Sequence, residues 1–133
     1  MYEVQVEVPF SAAHHLDGYA GRCSRVHGHR WKVRAIVRGD TAGPWGMLVD
    51  VRRLRGLLGS ILQRFEGCDL NQDPLFRGSN PSAENLATEI YRLISRAPLV
   101  GGDASRIWLQ AVEVEETPGS AARYTRVEEV RED

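Results

Sequence analysis

The segment Cys23-Ser24-Arg25-Val26-His27-Gly28-His29 holds one of the chain's two cysteines and two of its four histidines. His27 and His29 are one residue apart at the start of an alternating stretch. A strand's period of two sets both side chains on one face, close enough to share a small cation. A further candidate lies upstream in Phe10-Ser11-Ala12-Ala13-His14-His15-Leu16, where a first alternating stretch ends. Its two histidines are adjacent, so they face opposite ways if the chain stays extended, and only one can join the pair. Three neutral imidazoles with an open fourth position suit catalytic zinc, which polarises an oxygen or acidifies bound water. Cys23, four residues before His27, reads as a ligand or as a thiolate base whose pKa is lowered by the metal and by Arg22 or Arg25. Taken singly, each feature has a plainer use: two half-exposed histidines near a turn, or a cysteine filling a small apolar gap.

The elements that must position these residues follow from periodicity. Residues 2–10 place Val4, Val6 and Val8 against Glu3, Gln5 and Glu7, a half-buried strand. Residues 29–38 alternate again, with Trp31, Val33, Ala35 and Val37 on one face and Arg30, Lys32, Arg34 and Ile36 on the other. A long loop joins the two, and residues 39–46 form a turn by their Gly and Pro content. From 49 to 65 the period becomes helical, with Asp50 as cap and Val51, Leu54, Leu57 or Leu58, Ile61 and Phe65 in phase. After a loop, residues 82–97 form a second helix capped by Ser82, with Leu86, Ile90, Leu93 and Ile94 on one stripe. Residues 106–117 and 122–130 read as strands joined through Pro118-Gly119-Ser120. The order strand, strand, helix, helix, strand, strand implies a single α+β domain over residues 1–133, a four-stranded antiparallel sheet with two helices packed on one face. Such a sheet leaves two edges, which a second subunit can pair.

Bulk properties narrow the function. The 133 residues suit one domain, and 42% hydrophobic with 26% charged residues is an ordinary globular composition. The net charge of -1 and scattered arginines speak against nucleic acid as a partner. Neither an apolar run of membrane-spanning length nor a signal-peptide pattern is present, so the expected compartment is the cytoplasm, with no membrane partner. Two cysteines are too few for a disulfide framework, which leaves free thiols as the expectation.

Five ordered motifs carry a resemblance: FSAAHHL, Cys-x3-His-Gly-His, GMLVDVRRL, NPSAENLA and VEVEET. Together, along nearly the whole chain, they resemble the 6-pyruvoyltetrahydropterin synthase family, and the cysteine–histidine spacing is most similar to its bacterial branch, the 6-carboxytetrahydropterin synthases of the queuosine pathway. The resemblance implies a T-fold whose sheets join into an oligomeric barrel, usually a hexamer, with active sites between subunits. It implies a zinc ion on His14, His27 and His29, proton transfer by Cys23, a pterin ring anchored by Glu116, and pterin contacts from Ser82 and Glu84. The activity it implies is a carbon–oxygen lyase reaction on 7,8-dihydroneopterin triphosphate, with a reduced pterin as small-molecule partner. Without the resemblance, Glu116 is one of three acids crowded in a strand with Glu113 and Glu115. Glu84 is equally a first-turn acid favoured by the helix dipole.

One family feature is missing. The Asp-His dyad that supports the cysteine belongs in a segment resembling Leu-Asp-His-x-x-Leu-Asn. Here that segment reads Phe65-Glu66-Gly67-Cys68-Asp69-Leu70-Asn71, with Glu66 at the aspartate and Gly67 at the histidine. Losing a general acid or base typically costs ~10²–10⁴ in rate. Cys68 or Asp69 could substitute, though a loop thiol and a turn acid are their simpler uses. The alternative function is a relative that keeps zinc and pterin binding without the synthase reaction, as a pterin-binding protein or a side-chain-cleaving enzyme.

Overall fold

The computed structural model describes residues 1–19, 21, 25–40, 42–43, 45–98 and 107–127. Their elements run β1 (Tyr2–His14), β2 (His27–Gly39), α1 (Val51–Leu62), β3 (Cys68–Asp69), α2 (Ala83–Ser95), β4 (Ile107–Thr117) and β5 (Ser120–Thr125). The sheet order is β3-β1-β2-β4-β5, with both helices on one face. The expected four antiparallel strands are present, and the sheet is corrected to five strands of mixed direction. β3 pairs parallel to β1 through Ala12↔Cys68 and Ala13↔Asp69. Two residues cannot show an alternation, so periodicity had nothing to register there.

Both expected caps form. The Asp50 carboxylate accepts from the amides of Arg52 and Arg53, and Ser82 Oγ accepts from the Asn85 amide. α1 turns Leu54, Leu58 and Leu62 inward, while Val51, placed on the apolar stripe by its spacing, is 38% exposed. α2 buries Leu86, Ile90 and Ile94. These side chains meet the even-numbered side of β1 and the odd-numbered side of β2, where Phe10 stacks on Trp31 with ring centroids 5.9 Å apart. Ile36, on the polar side of the expected alternation, is nonetheless buried, beside a register shift between Ile36 and Val37.

The opposite side of the sheet is charged and internally paired. Arg34 bridges Glu7 and Glu113 at 2.7 and 2.8 Å, Arg123 reaches Glu113 at 2.6 Å, and Arg38 meets Glu3 at 2.6 Å. Among the described residues no helix is long and apolar enough to cross a membrane. The expected residues 99–106 and 128–130 of the last loop and strands lie outside the described residues.

Candidate metal centre

β1 runs four residues past its alternating stretch, and that extension builds the site. Its far edge is held from the other side: the Ser11 amide donates to Glu66 Oε2 at 2.9 Å, and the Gly67 amide donates to Ser11 O at 2.7 Å. β3 then pairs Ala12 and Ala13. With the strand extended to its end, His14 stands directly opposite His27, and His29 opposite Ala12. Period two puts all three imidazoles on the helix side of the sheet. Their ring centroids are 4.5 Å (His14–His27), 4.7 Å (His27–His29) and 5.2 Å (His14–His29) apart. Trp31, next in phase on β2 and fully buried, packs edge-on against His14 and His29 and closes the core side of the cluster.

Hydrogen bonds orient two of the three rings, His14 and His27. His14 Nδ1 lies 2.8 Å from Pro81 O, and His27 Nδ1 2.6 Å from Arg25 O. A carbonyl only accepts, so in each neutral ring Nδ1 carries the proton and Nε2 keeps a bare lone pair. Backbone carbonyls orienting imidazoles in this way are a common second layer of metal sites. Glu116 Oε1 lies 3.0 Å from His14 Nε2 and 3.2 Å from His29 Nε2, yet neither nitrogen makes a hydrogen bond. Nitrogens this close to a carboxylate and otherwise uncommitted leave room for a cation to be shared between them. Burial holds the His29 pKa below its ordinary value; Glu116 pulls it up, and His14 and His27 push it further down. A neutral imidazole is the form that binds metal. One donor atom from each of His14, His27, His29 and Glu116 lies within 4.8 Å of the others, so this group can hold a metal ion. Three nitrogens and one carboxylate oxygen fit zinc by donor type.

Glu116 continues the inward phase of Val112 and Val114, which is how it reaches the histidines. The β4–β5 register passes from Glu115↔Ala121 to Thr117↔Ser120, making Glu116 the extra residue of a bulge. Bulges re-aim a side chain and are frequent beside active sites. Next to it a cavity of ≈ 270 Å³ is lined by His14, Glu116, Ser82 and Glu84 among others, so four of the expected site residues meet there. Ser82 Oγ is engaged as the helix cap, and Glu84 is exposed in the first turn of α2. A larger cavity of ≈ 490 Å³ lies by His15, Asn71 and Arg77 and includes none of the four donors. The smaller one borders the chemistry.

The two adjacent histidines part, as expected. The His15 amide donates to Asn71 Oδ1 at 2.8 Å and its Nε2 sits 2.9 Å from Asp17 Oδ1, away from the cluster. Cys23, the expected proton-transfer residue, lies outside the described residues. At the position of the missing dyad, Glu66 is spent on the Ser11 amide, and Gly67 has φ 70 with open space where a Cβ would stand. Asp69 caps a 3-10 turn through the Asn71 amide, and the Cys68 thiol donates to Glu66 O at 3.4 Å. Sequence reasoning missed three supporting elements: the carbonyls of Pro81 and Arg25, the Trp31 floor, and the approach of Glu116 to the histidines. Only the last had a signal, the in-phase position of Glu116 behind Val112 and Val114.

Comparison with known proteins identifies the family. Residues 3–127 match the sequence profile of the 6-pyruvoyl tetrahydropterin synthases. The 6-carboxy-5,6,7,8-tetrahydropterin synthase of Synechocystis sp. is 33% identical over 128 residues, covering 93% of each chain. That of Bacillus subtilis is 36% identical over 96 residues, 68% of this chain and 63% of its own. The fold matches a solved 6-pyruvoyl tetrahydropterin synthase from Caenorhabditis elegans, with a TM-score of 0.78 and 24% identity over 95% of this chain and 96% of that one. The T-fold expectation is thereby met within the single chain. The chain belongs to the 6-pyruvoyl tetrahydropterin synthase family.

Proposed function

We propose that the chain is a zinc-dependent pterin enzyme resembling 6-carboxytetrahydropterin synthase, a carbon–oxygen lyase converting 7,8-dihydroneopterin triphosphate to a 6-substituted tetrahydropterin. The observation that carries this reading is the set of inward Nε2 atoms on His14, His27 and His29, left without hydrogen bonds at His14 and His29, beside a cavity that Glu116 borders. The names of the similar synthases support the substrate class.

Roles follow from chemistry. The three imidazoles hold the ion, and when bound it would polarise a substrate oxygen and make a neighbouring proton easier to remove. The Glu116 carboxylate offers two acceptor oxygens to the paired N–H groups of a 2-amino-pyrimidinone edge, as it would to an arginine. Ser82 and Glu84 contact the pterin from the start of α2. Cys23 moves the side-chain proton. We further propose assembly as a homo-oligomer, a hexamer by family habit, with active sites between subunits. In support, β1 from Tyr2 to Ser11 and all of β5 have one edge without a strand partner among the described residues.

The test is turnover of 7,8-dihydroneopterin triphosphate by zinc-verified protein, read by mass spectrometry with Cys23→Ala as control. Conversion that disappears in the variant supports the reading; zinc-loaded protein that neither binds nor converts reduced pterins refutes it. A second reading is favoured by residues 66–69, where a backbone-bound Glu66 and Gly67 occupy the dyad positions and the nearby Asp69 is engaged as a cap. On that reading zinc and pterin are bound but the synthase step is lost, and turnover at rates like those of dyad-bearing relatives would exclude it.

A further inference from the structure

Glu116 has two possible duties in one place. Its carboxylate borders the cavity shared with Ser82 and Glu84, and it also meets the bare faces of His14 and His29. Four ligands at about 2.0–2.1 Å around one ion stand about 3.3–3.4 Å from one another. The contacts of Glu116 Oε1 to two histidine nitrogens, 3.0 and 3.2 Å, are close to that spacing. Both contacts are at ion-pair distance, and neither nitrogen is committed to another hydrogen-bond partner, so both remain available to an ion. We infer that in the ligand-free protein Glu116 is the fourth ligand of the ion on His14, His27 and His29, and that it gives up this position when a pterin enters.

The inference rests on the metal and pterin reading above and adds a resting state to it. Three neutral imidazoles leave a divalent ion with its full charge; one carboxylate removes half of it, which stabilises the ion in a partly buried site. Recognising a pterin edge needs both carboxylate oxygens aligned with two N–H groups, which draws Oε1 off the ion's axis. The bulge makes that exchange feasible. Glu116 is the residue left without a registered partner between Glu115↔Ala121 and Thr117↔Ser120, so its side chain can re-aim without breaking a ladder pair. At 31% side-chain exposure the carboxylate has space on the cavity side. Pterin entry would then open a coordination position at the moment a substrate oxygen arrives.

The experiment uses Co²⁺ as a spectroscopic probe in full-length wild-type protein, Glu116→Gln and Glu116→Ala. In the wild type we expect an intense four-coordinate visible spectrum, and addition of 7,8-dihydroneopterin should shift it. Both variants should bind Co²⁺ at least about tenfold more weakly, since even an outer-layer partner is worth that much, with a changed visible band and no similar pterin-induced shift. Glu116→Gln keeps the shape of the side chain, so it reports coordination if Glu116→Ala fails to fold. Wild-type affinity and spectrum in Glu116→Gln would overturn this inference while leaving the metal reading intact. Pterin binding that leaves the wild-type spectrum unchanged would overturn the exchange. A wild type that takes up no Co²⁺ or Zn²⁺ would overturn the metal reading, and this inference with it.

Discussion

At the histidine end of the β1–β2 ladder, Nε2 of His14 and of His29 face a carboxylate without hydrogen-bonding it. In the connection from Glu66 to Asp73, by contrast, every acid is spent on a backbone amide: Glu66 on Ser11, Asp69 on Asn71, Asp73 on Leu75. Asn71 is spent too, clamping both backbone groups of His15 at 2.8 and 3.0 Å. Both regions are rich in groups capable of chemistry. What separates them is whether local structure has already consumed their lone pairs. The second region works for the first, because its bonds to Ser11, Ala12 and Ala13 keep β1 extended to His14.

The largest effect should come from moving function into the structural region. The double variant Glu66→Asp, Gly67→His introduces the Asp-His dyad that the resemblance implies, with the new Cβ at residue 67 meeting nothing within 4 Å. If proton transfer limits the reaction, synthase turnover should rise by up to ~10²–10⁴. The strained φ of residue 67 and the shorter acid at 66 will cost some stability, which thermal unfolding reads separately. Unchanged turnover with intact fold and zinc would mean that the wild type already has another proton partner.

Next, the packing beneath the connection can be loosened without touching the donors or the bonds to Ser11, Ala12 and Ala13. Leu70 is fully buried beneath the loop. Leu70→Ala should cost about 2–5 kcal/mol in denaturant unfolding, while the zinc content per folded chain stays at the wild-type value. Asn71→Ala should cost less, about 1–3 kcal/mol, for the half-buried His15 backbone groups it leaves unpaired. A lost metal in the Leu70 variant would show that the two regions are not separable in the way drawn here.

The reach of the sequence differs between the same two regions. Alternation places His27 and His29 in phase, and the caps Asp50 and Ser82 were readable because capping is a local, two-to-three-residue bond. The adjacency of His14 and His15 already required that they diverge. The continuation of β1 through Ser11-Ala12-Ala13 was not legible: small residues alternate in nothing, and the strand is held by partners more than fifty positions away. β3 was hidden for the same reason, being two residues whose only strand signal is a non-local pairing. The meeting of Glu116 with the histidines depends on the β1–β2–β4 order, which periodicity alone does not give.

The smallest expected effect lies on the charged outer side of the sheet, away from both regions. The hydrogen bond from Arg123 is the main reason the Glu113 carboxyl sits below its ordinary pKa; partial burial opposes it, and the charges of Arg123 and Arg34 add to it. A depressed folded-state pKa means that this stability is fully present above the unfolded carboxylate pKa and is lost as pH falls through the folded value. Glu113→Gln should therefore lower stability at neutral pH by under about 1 kcal/mol, with the difference from wild type shrinking as the solution is acidified. A constant difference across that acid range would show that the pair contributes through packing rather than charge.

The central claim is that β1 and β2 converge on one metal ion. Its most direct test is elemental analysis of wild-type protein and His29→Ala after dialysis against metal-free buffer, with circular dichroism confirming the fold of each. We expect close to one zinc per wild-type chain and a large loss in the variant. A folded wild type without metal, or a variant that retains a full equivalent, would contradict it.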